Sequence, residues 1–370
     1  MMEMIVHLKK VSDTRSHINQ DYPVLEMAFL LINALISGSK SWSDIHIFGE
    51  TRLEWLRGYL PFEHGIPTQQ NIARIIKTMV PESLMAALVS WVNAVREERD
   101  CRHIAIDGKD IRGVAKYSRS TPLSMVSAFD VERGLVLYHK AGRGKGNELA
   151  MARELIDSLN ITDAILTLDA LHCQTETIRQ IKAKGGIALI QCKQNQPKLH
   201  EAVDKLFQAE WAKPEQEHVC LSESEQGHGR KETRTVYATA LALEGELKEK
   251  WSDIKRIAAV VRERTVKGKT SHETHYYVCT AHLRLEELMQ ATRRHWHTEN
   301  CQHHILDVTF REDAQRMHAG DSAVNIACFR RLALNLLKQY DDGKKQTMPR
   351  KMGWCAGSDE YRHNVLMGKN

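Results

Sequence analysis

Two apolar runs in this chain stop on a lone aspartate, and together they restrict the fold more than any other feature. Residues 103–109 read HIAIDGK and residues 165–171 read ILTLDAL. Side chains alternate along a strand with period two. Ile104 and Ile106 therefore share one face, while Ala105 and Asp107 share the other. Leu166 and Leu168 oppose Thr167 and Asp169 in the same way. Both carboxylates leave the ends of core strands in the same phase. Downstream, HWHTEN adds a third acid, Glu299, in a segment patterned as a helix. Two strand-end aspartates and a helical glutamate are what a site needs to hold two hard cations against a phosphodiester.

The surroundings of these runs define the fold class. SMVSAFD (124–130) and LVLYHKA (135–141) are separated only by VERG and read as an antiparallel hairpin. ELAMARELIDSL then carries Leu149, Ala152, Leu155, Ile156 and Leu159 on one helical stripe. The strand AILTLD, a helix around TETIRQIKAKG and the strand IALIQC (187–192) follow. This order predicts an α/β fold, a ribonuclease-H-like mixed sheet flanked by helices. A doubly wound nucleotide-binding fold fits less well, since DGKDIRG is neither a Walker motif nor GxGxxG. Residues 213–284 alternate strand-like runs with polar loops and read as a β-rich insertion.

Residues 1–100 read as an N-terminal helical domain. Short helices joined by tight turns suit a helix-turn-helix DNA reader and equally a scaffold packed on the main domain. The organisation expected is thus a helical, DNA-binding domain at 1–100 and a catalytic domain at 101–340 interrupted by 213–284. The last stretch, 341–370, is poor in apolar residues and reads as a loose tail.

Bulk properties exclude several classes. The net charge is +5, mild enough to permit a nucleic-acid partner without requiring one. Eight cysteines are scattered without zinc-finger or redox spacing, which reads as reduced thiols. The opening MMEMIVHLKK lacks a secretory pattern. The most apolar run, VLEMAFLLINALI (24–36), is too short to cross a bilayer and reads as a buried helix. A cytoplasmic, nucleoid-associated protein without a membrane partner is expected.

On a continuous helix Thr292, His295 and Glu299 share a face, because residues three and four apart are neighbours. Glu299 is then partly buried, a cost that a bound cation relieves. Trp296 is expected to pack. The histidines at 295, 297, 303 and 304 suggest a rival zinc site, although their spacing is not HExxH. Asp307, Glu312 and Asp313 compete with Glu299 as ligands, and Asp110 competes with Asp107.

The set AIDGK, TLDALHCQ, KQNQPKL, HGRKETR, RRHWHTEN, LDVTFREDAQR and RLALNLLK resembles the bacterial insertion-sequence DDE transposases of the H-repeat-associated branch. The motifs run in family order from about residue 20 to 340. The resemblance implies Asp107, Asp169 and Glu299 as the catalytic, metal-binding acids, the same three that strand and helix phase select. Their spacing is 62 residues (107 to 169) and 130 residues (169 to 299). One departure stands out: Thr292, His295 and Leu306 occupy places where the broader group carries Tyr, Arg and a basic residue. A histidine at the second place is usual in this branch.

The function these readings imply is a DNA transposase performing Mg²⁺-dependent phosphodiester hydrolysis and strand transfer at insertion-sequence ends, with Mn²⁺ able to substitute. Its partner is double-stranded DNA, both transposon ends and target, on which the chain acts as a homo-oligomer. His295 is expected to position a phosphate or the nucleophile. Lys109, Arg112, Lys193, Asn195, Gln196, Arg230 and Arg293 are candidates for phosphate contacts. The alternatives are a metal-dependent nuclease without strand transfer and a catalytically silent, DNA-binding remnant.

Overall fold

The computed structural model describes residues 3–16, 20–95, 102–118, 123–143, 146–227, 229–296 and 298–368. Among them the strands are β1 (His103–Ile111), β2 (Leu123–Asp130), β3 (Leu135–Arg143), β4 (Ile165–Leu168), β5 (Ile187–Cys192), β6 (Cys220–Gly227), β7 (Arg230–Ala240), β8 (Arg256–Val266) and β9 (Lys269–Cys279). They form a mixed sheet in the order β3-β2-β1-β4-β5-β9-β8-β7-β6, flanked by helices. This is the ribonuclease-H-like class expected from the alternation of strands and helices. The chain divides into two compact units. One comprises Met1–Asp100, Gly108–Met151 and Glu299–Asn370; the other comprises Cys101–Asp107 and Ala152–Thr298.

In the second unit β1, β4 and β5 run parallel. Their cores, Ile104–Ile106, Leu166–Leu168 and Ala188–Cys192, are buried on both faces, as parallel strands between helices must be. The β-rich insertion forms as expected, and β9, β8, β7 and β6 extend the sheet beyond β5 by antiparallel pairing. Helix Leu285–His295 packs Leu288, Met289 and Ala291 into a cluster with Leu189, Val236 and Ala258. This α-helix does not continue through Glu299 as expected. It stops at His295, and Glu299–His303 forms a π-helical turn before helix His304–Val308. Upstream of that point, buried Thr292 donates its hydroxyl back to the carbonyls of Leu288 (2.7 Å) and Met289 (3.2 Å), which satisfies the hydroxyl within the helix.

The first unit is organised by helix Ser322–Gln339, whose face carries polar pegs as well as apolar residues. Asn325 donates to the carbonyls of Ile76 (2.8 Å) and Met79 (2.9 Å). Asn335 accepts from the Val136 amide (2.8 Å) and donates to the Val136 carbonyl (2.9 Å) on edge strand β3. Arg331 donates to Glu312 at 2.7 Å, and both side chains are fully buried. The apolar run at 24–36 forms helix Val24–Ile36, nearly all of it buried. Its one carboxylate, Glu26, accepts from the Phe62 amide at 2.9 Å.

Residues 341–368 of the expected loose tail are folded instead. They contain helices Met348–Gly357 and Asp359–Met367, with Met352, Cys355, Val365 and Leu366 buried. The missing apolar mass is supplied by Arg362. Its guanidinium is buried 4.1 Å from the Trp55 ring centroid and 5.3 Å from that of Phe48. A flat cation that stacks on aromatic rings fills a core position, which a count of hydrophobic letters does not register. Among the described residues no helix is long and apolar enough to cross a membrane.

Candidate active site

The register of β1 on β4 brings the two aspartates to equivalent places. Ala105 pairs with Thr167 and Ile106 with Leu168, so Asp107 and Asp169 each follow the last paired residue in the same phase. Asp169 lies just past the end of β4, but Asp107 does not end its strand as expected, because β1 continues to Ile111. Asp169 also starts the 3-10 turn Ala170–His172, where its Oδ1 accepts from the Leu171 amide at 3.1 Å. That bond fixes the carboxylate while its side chain stays 46% exposed. His172 Nε2 lies 3.7 Å from the same oxygen.

Asn195 and Gln196, expected at phosphates, hold this turn instead. Asn195 Nδ2 donates to the Ala170 carbonyl at 2.5 Å, and Gln196 Nε2 donates to the Cys173 carbonyl at 2.9 Å. Their amides are committed to the backbone that carries Asp169. The KQNQP motif thus has a structural task that no spacing rule reveals.

Behind Asp169, in the same strand phase, lies a polar tract. Thr167 is buried, and its Oγ1 is 2.8 Å from His103 Nε2 and 3.0 Å from His295 Nδ1. Burial and the neighbouring His172 lower the His295 pKa to about 4. Its imidazole is therefore neutral at physiological pH. Neither His103 nor Thr167 stood out in the sequence. The available signal was the phase that Thr167 shares with Asp169.

Glu299 lines a cleft of about 440 Å³ in the first unit, together with Gly108, Lys109, Asp110, Arg112, Asn300, His303, His304, Asp307 and Asp313. It is exposed rather than partly buried, because the π-helical turn removes it from the apolar face of helix Leu285–His295. Among the described residues it has no ion-pair partner. Gly108, the residue after Asp107, admits the Glu148 carboxylate into the space a Cβ needs. That close approach adds an acid beside Gly108 that sequence reasoning missed.

Lys109 is not a free phosphate ligand. Its ammonium is paired with Asp307 and lies 3.5 Å from Glu312 and 3.8 Å from Asp313, with only 9% of the side chain exposed. Glu312, held also by Arg331, keeps its carboxyl below the ordinary value in spite of burial. Burial raises the Asp307 pKa, while Lys109 draws it back down. Two of the competitors for the role of Glu299, Asp307 and Glu312, are thus tied to cations.

The remaining candidates are dispersed. Arg112 is exposed in the cleft; Lys193 and Arg230 are exposed at the end of β5 and the start of β7. Arg293 is paired with Glu225 and lies 3.4 Å from Glu223. With Arg234, Arg262, His275 and Trp296 it lines a notch of about 60 Å³ in the second unit. Trp296 is 52% exposed, so it is not the packing residue expected. His297 lies outside the described residues. Among the described residues no three His, Cys, Asp or Glu side chains form a ready metal cage. Asp107, Asp169 and Glu299 nonetheless offer only carboxylate oxygens, the hard donors that Mg²⁺ takes.

Comparison with known proteins identifies the family. Residues 98–336 match the family described as Transposase DDE domain, and residues 5–92 match the family described as DDE_Tnp_1-associated. The chain is 31% identical over 375 aligned residues to the H repeat-associated putative transposase YhhI of Escherichia coli (strain K12), covering 100% of this chain and 98% of that protein. It is 32% identical to the putative transposase YncI of Escherichia coli O157:H7, covering 93% and 89%. A solved piggyBac transposase synaptic complex with hairpin DNA is similar at a TM-score of 0.42 and 10% identity, over 95% of this chain and 75% of that one. With a family match over more than half its length and relatives above 30% identity along nearly the whole chain, the chain belongs to the DDE transposase family.

Proposed function

We propose that the chain is a DNA transposase that cuts phosphodiesters at insertion-sequence ends and joins them to a target. The observation that supports this reading is the β1–β4 register, in which Asp107 and Asp169 each follow the last paired residue, Ile106 and Leu168, in one phase. In this reading Asp107, Asp169 and Glu299 hold Mg²⁺. Divalent cations bound by such carboxylates stabilise the attacking and leaving oxygens of an in-line displacement at phosphorus.

The chain's own residues supply the rest. Asp169 keeps one oxygen on the Leu171 amide, so its orientation is set before any substrate arrives. Neutral His295 presents a ring nitrogen to a phosphate or to the nucleophile. Arg112, Lys193 and Arg230 are exposed cations suited to backbone phosphates, which set affinity and register rather than sequence. In the first reaction a water oxygen bonds to phosphorus and the strand's 3′-oxygen leaves as a hydroxyl. In the second, that hydroxyl oxygen bonds to a target phosphorus and expels the target's 3′-oxygen. Residues 1–100 recognise the ends, and the DNA-bound form is a homo-oligomer acting at the nucleoid in the cytoplasm.

The test uses purified protein, Mg²⁺ or Mn²⁺, and DNA carrying the flanking inverted repeats, beside Asp169→Ala. The expected result is metal-dependent nicking and joining by the parent chain alone, with DNA affinity preserved in the variant. Equal products from both proteins refute the assignment. Cleavage without joining identifies a nuclease, and end binding without nicking identifies a silent remnant.

A further inference from the structure

The mechanism above uses His295 but leaves unexplained why two more polar side chains are buried behind it. Thr167 sits mid-strand between Leu166 and Leu168, where a valine has the same shape and no hydroxyl to satisfy. Burying a hydroxyl is costly unless it is bonded. Here the bonds go to two imidazoles, His103 Nε2 at 2.8 Å and His295 Nδ1 at 3.0 Å. The Cα partner of Thr167 on β1 is Ala105, whose small side chain leaves room for both rings. Thr167, His103 and His295 all belong to the second unit.

A hydroxyl has one proton, and a neutral imidazole has one N–H and one lone pair. The three groups therefore form a directed chain, and its direction decides which nitrogen of His295 carries hydrogen. Because Nδ1 is engaged by Thr167, Nε2 is the nitrogen left to face a substrate. A lone pair there repels a phosphate oxygen, whereas an N–H donates to it.

We propose that Thr167 is a positioning residue: it donates its O–H to His295 Nδ1, accepts from His103 Nε2–H, and so holds His295 as the Nε2–H tautomer aimed at a DNA phosphate. The phosphate clause rests on the transposase reading; the tautomer does not. Carboxylates and carbonyls orient metal-site histidines in the same manner, and their loss typically costs about 10–100-fold in activity.

The experiment pairs ring ¹⁵N NMR of the histidine-labelled full chain with the nicking assay, in the parent, Thr167→Val and Thr167→Ser. The His295 signals are assigned by their loss in His295→Gln. The expected parent spectrum has a pyrrole-type Nε2 and a pyridine-type Nδ1 at residue 295, retained in T167S and altered in T167V. Nicking is expected to fall about tenfold or more in T167V and to recover in T167S. A pyrrole-type Nδ1 in the parent overturns the proposal. So does a T167S variant as impaired as T167V with an unchanged His295 spectrum. If the parent shows the tautomer and its dependence on Thr167 yet never nicks DNA, the transposase reading fails while the relay stands. If Asp169→Ala abolishes nicking and T167V changes neither spectrum nor rate, the relay fails alone.

Discussion

The parallel strands and the helical turn position their carboxylates by different means. Asp107 and Asp169 stand on a parallel ladder whose core is buried on both faces, and Asp169 is further fixed by an amide and by the amide-clamped turn behind it. Glu299 stands exposed on a π-helical turn beside a cleft rich in charge. The first arrangement gives accuracy through rigidity. The second offers a side chain with freedom to adjust, in the kind of helical irregularity that often marks functional sites.

Changing reach at each acid tests that contrast most severely. Asp169→Glu is expected to cut metal-dependent nicking by about 10³, some 4 kcal/mol of barrier. Glu299→Asp is expected to cost only about 10-fold, or 1.4 kcal/mol. Equal losses, measured as single-turnover nicking rates, abolish the distinction. The next largest effect is on stability. Glu312→Gln leaves Arg331 buried without its charge partner and weakens the hold on Lys109. A loss of about 3–5 kcal/mol in urea unfolding is expected, against less than about 0.5 kcal/mol for exposed Glu299→Gln.

Gly108→Ala displaces only the flexible end of Glu148, and less than about 0.5 kcal/mol of destabilisation is expected by the same measurement. Acid sensitivity compares the two units through one imidazole each. Burial holds His139 well below its ordinary value and His295 at about 4. Because these folded pKa values are depressed, the unfolded chain gains protons first as pH falls below about 6.5. Stability is therefore full above that pH and declines between about 6.5 and 4, by at most about 1.4 kcal/mol per pH unit for each imidazole. His139→Leu is expected to flatten that decline in unfolding curves taken across the window.

The smallest effect separates two cations three residues apart. Arg112→Ala is expected to lower DNA affinity and reduce the salt slope by about 1. Lys109→Met instead lowers stability, because its ammonium already belongs to the acids around it.

Legibility followed the same division. Period-two phase located the aspartates because a strand's geometry is local and regular, and the register of β1 on β4 preserves that phase across two strands. The π-helical turn at Glu299 was illegible because apolar periodicity reports which face is buried and not where a turn is widened by one residue. Lys109, Asn195 and Gln196 looked like DNA ligands because polar residues in loops carry no mark of their partners; those partners lie 22 to 203 residues away. The C-terminal helices were missed because Arg362 does the work of a core aromatic. Residues 5–92 match a recognised associated region, yet its composition offered no way to tell a DNA reader from a scaffold.

Asn335 has a further consequence. By offering both an acceptor and a donor to Val136, its side chain imitates one rung of a neighbouring strand on the outer side of β3. The rung is taken, so no foreign peptide can zip onto the border at that point, and stray polymerisation through that margin is interrupted. Asn335→Leu removes the plug and is expected to convert a quiet border into an adhesive one.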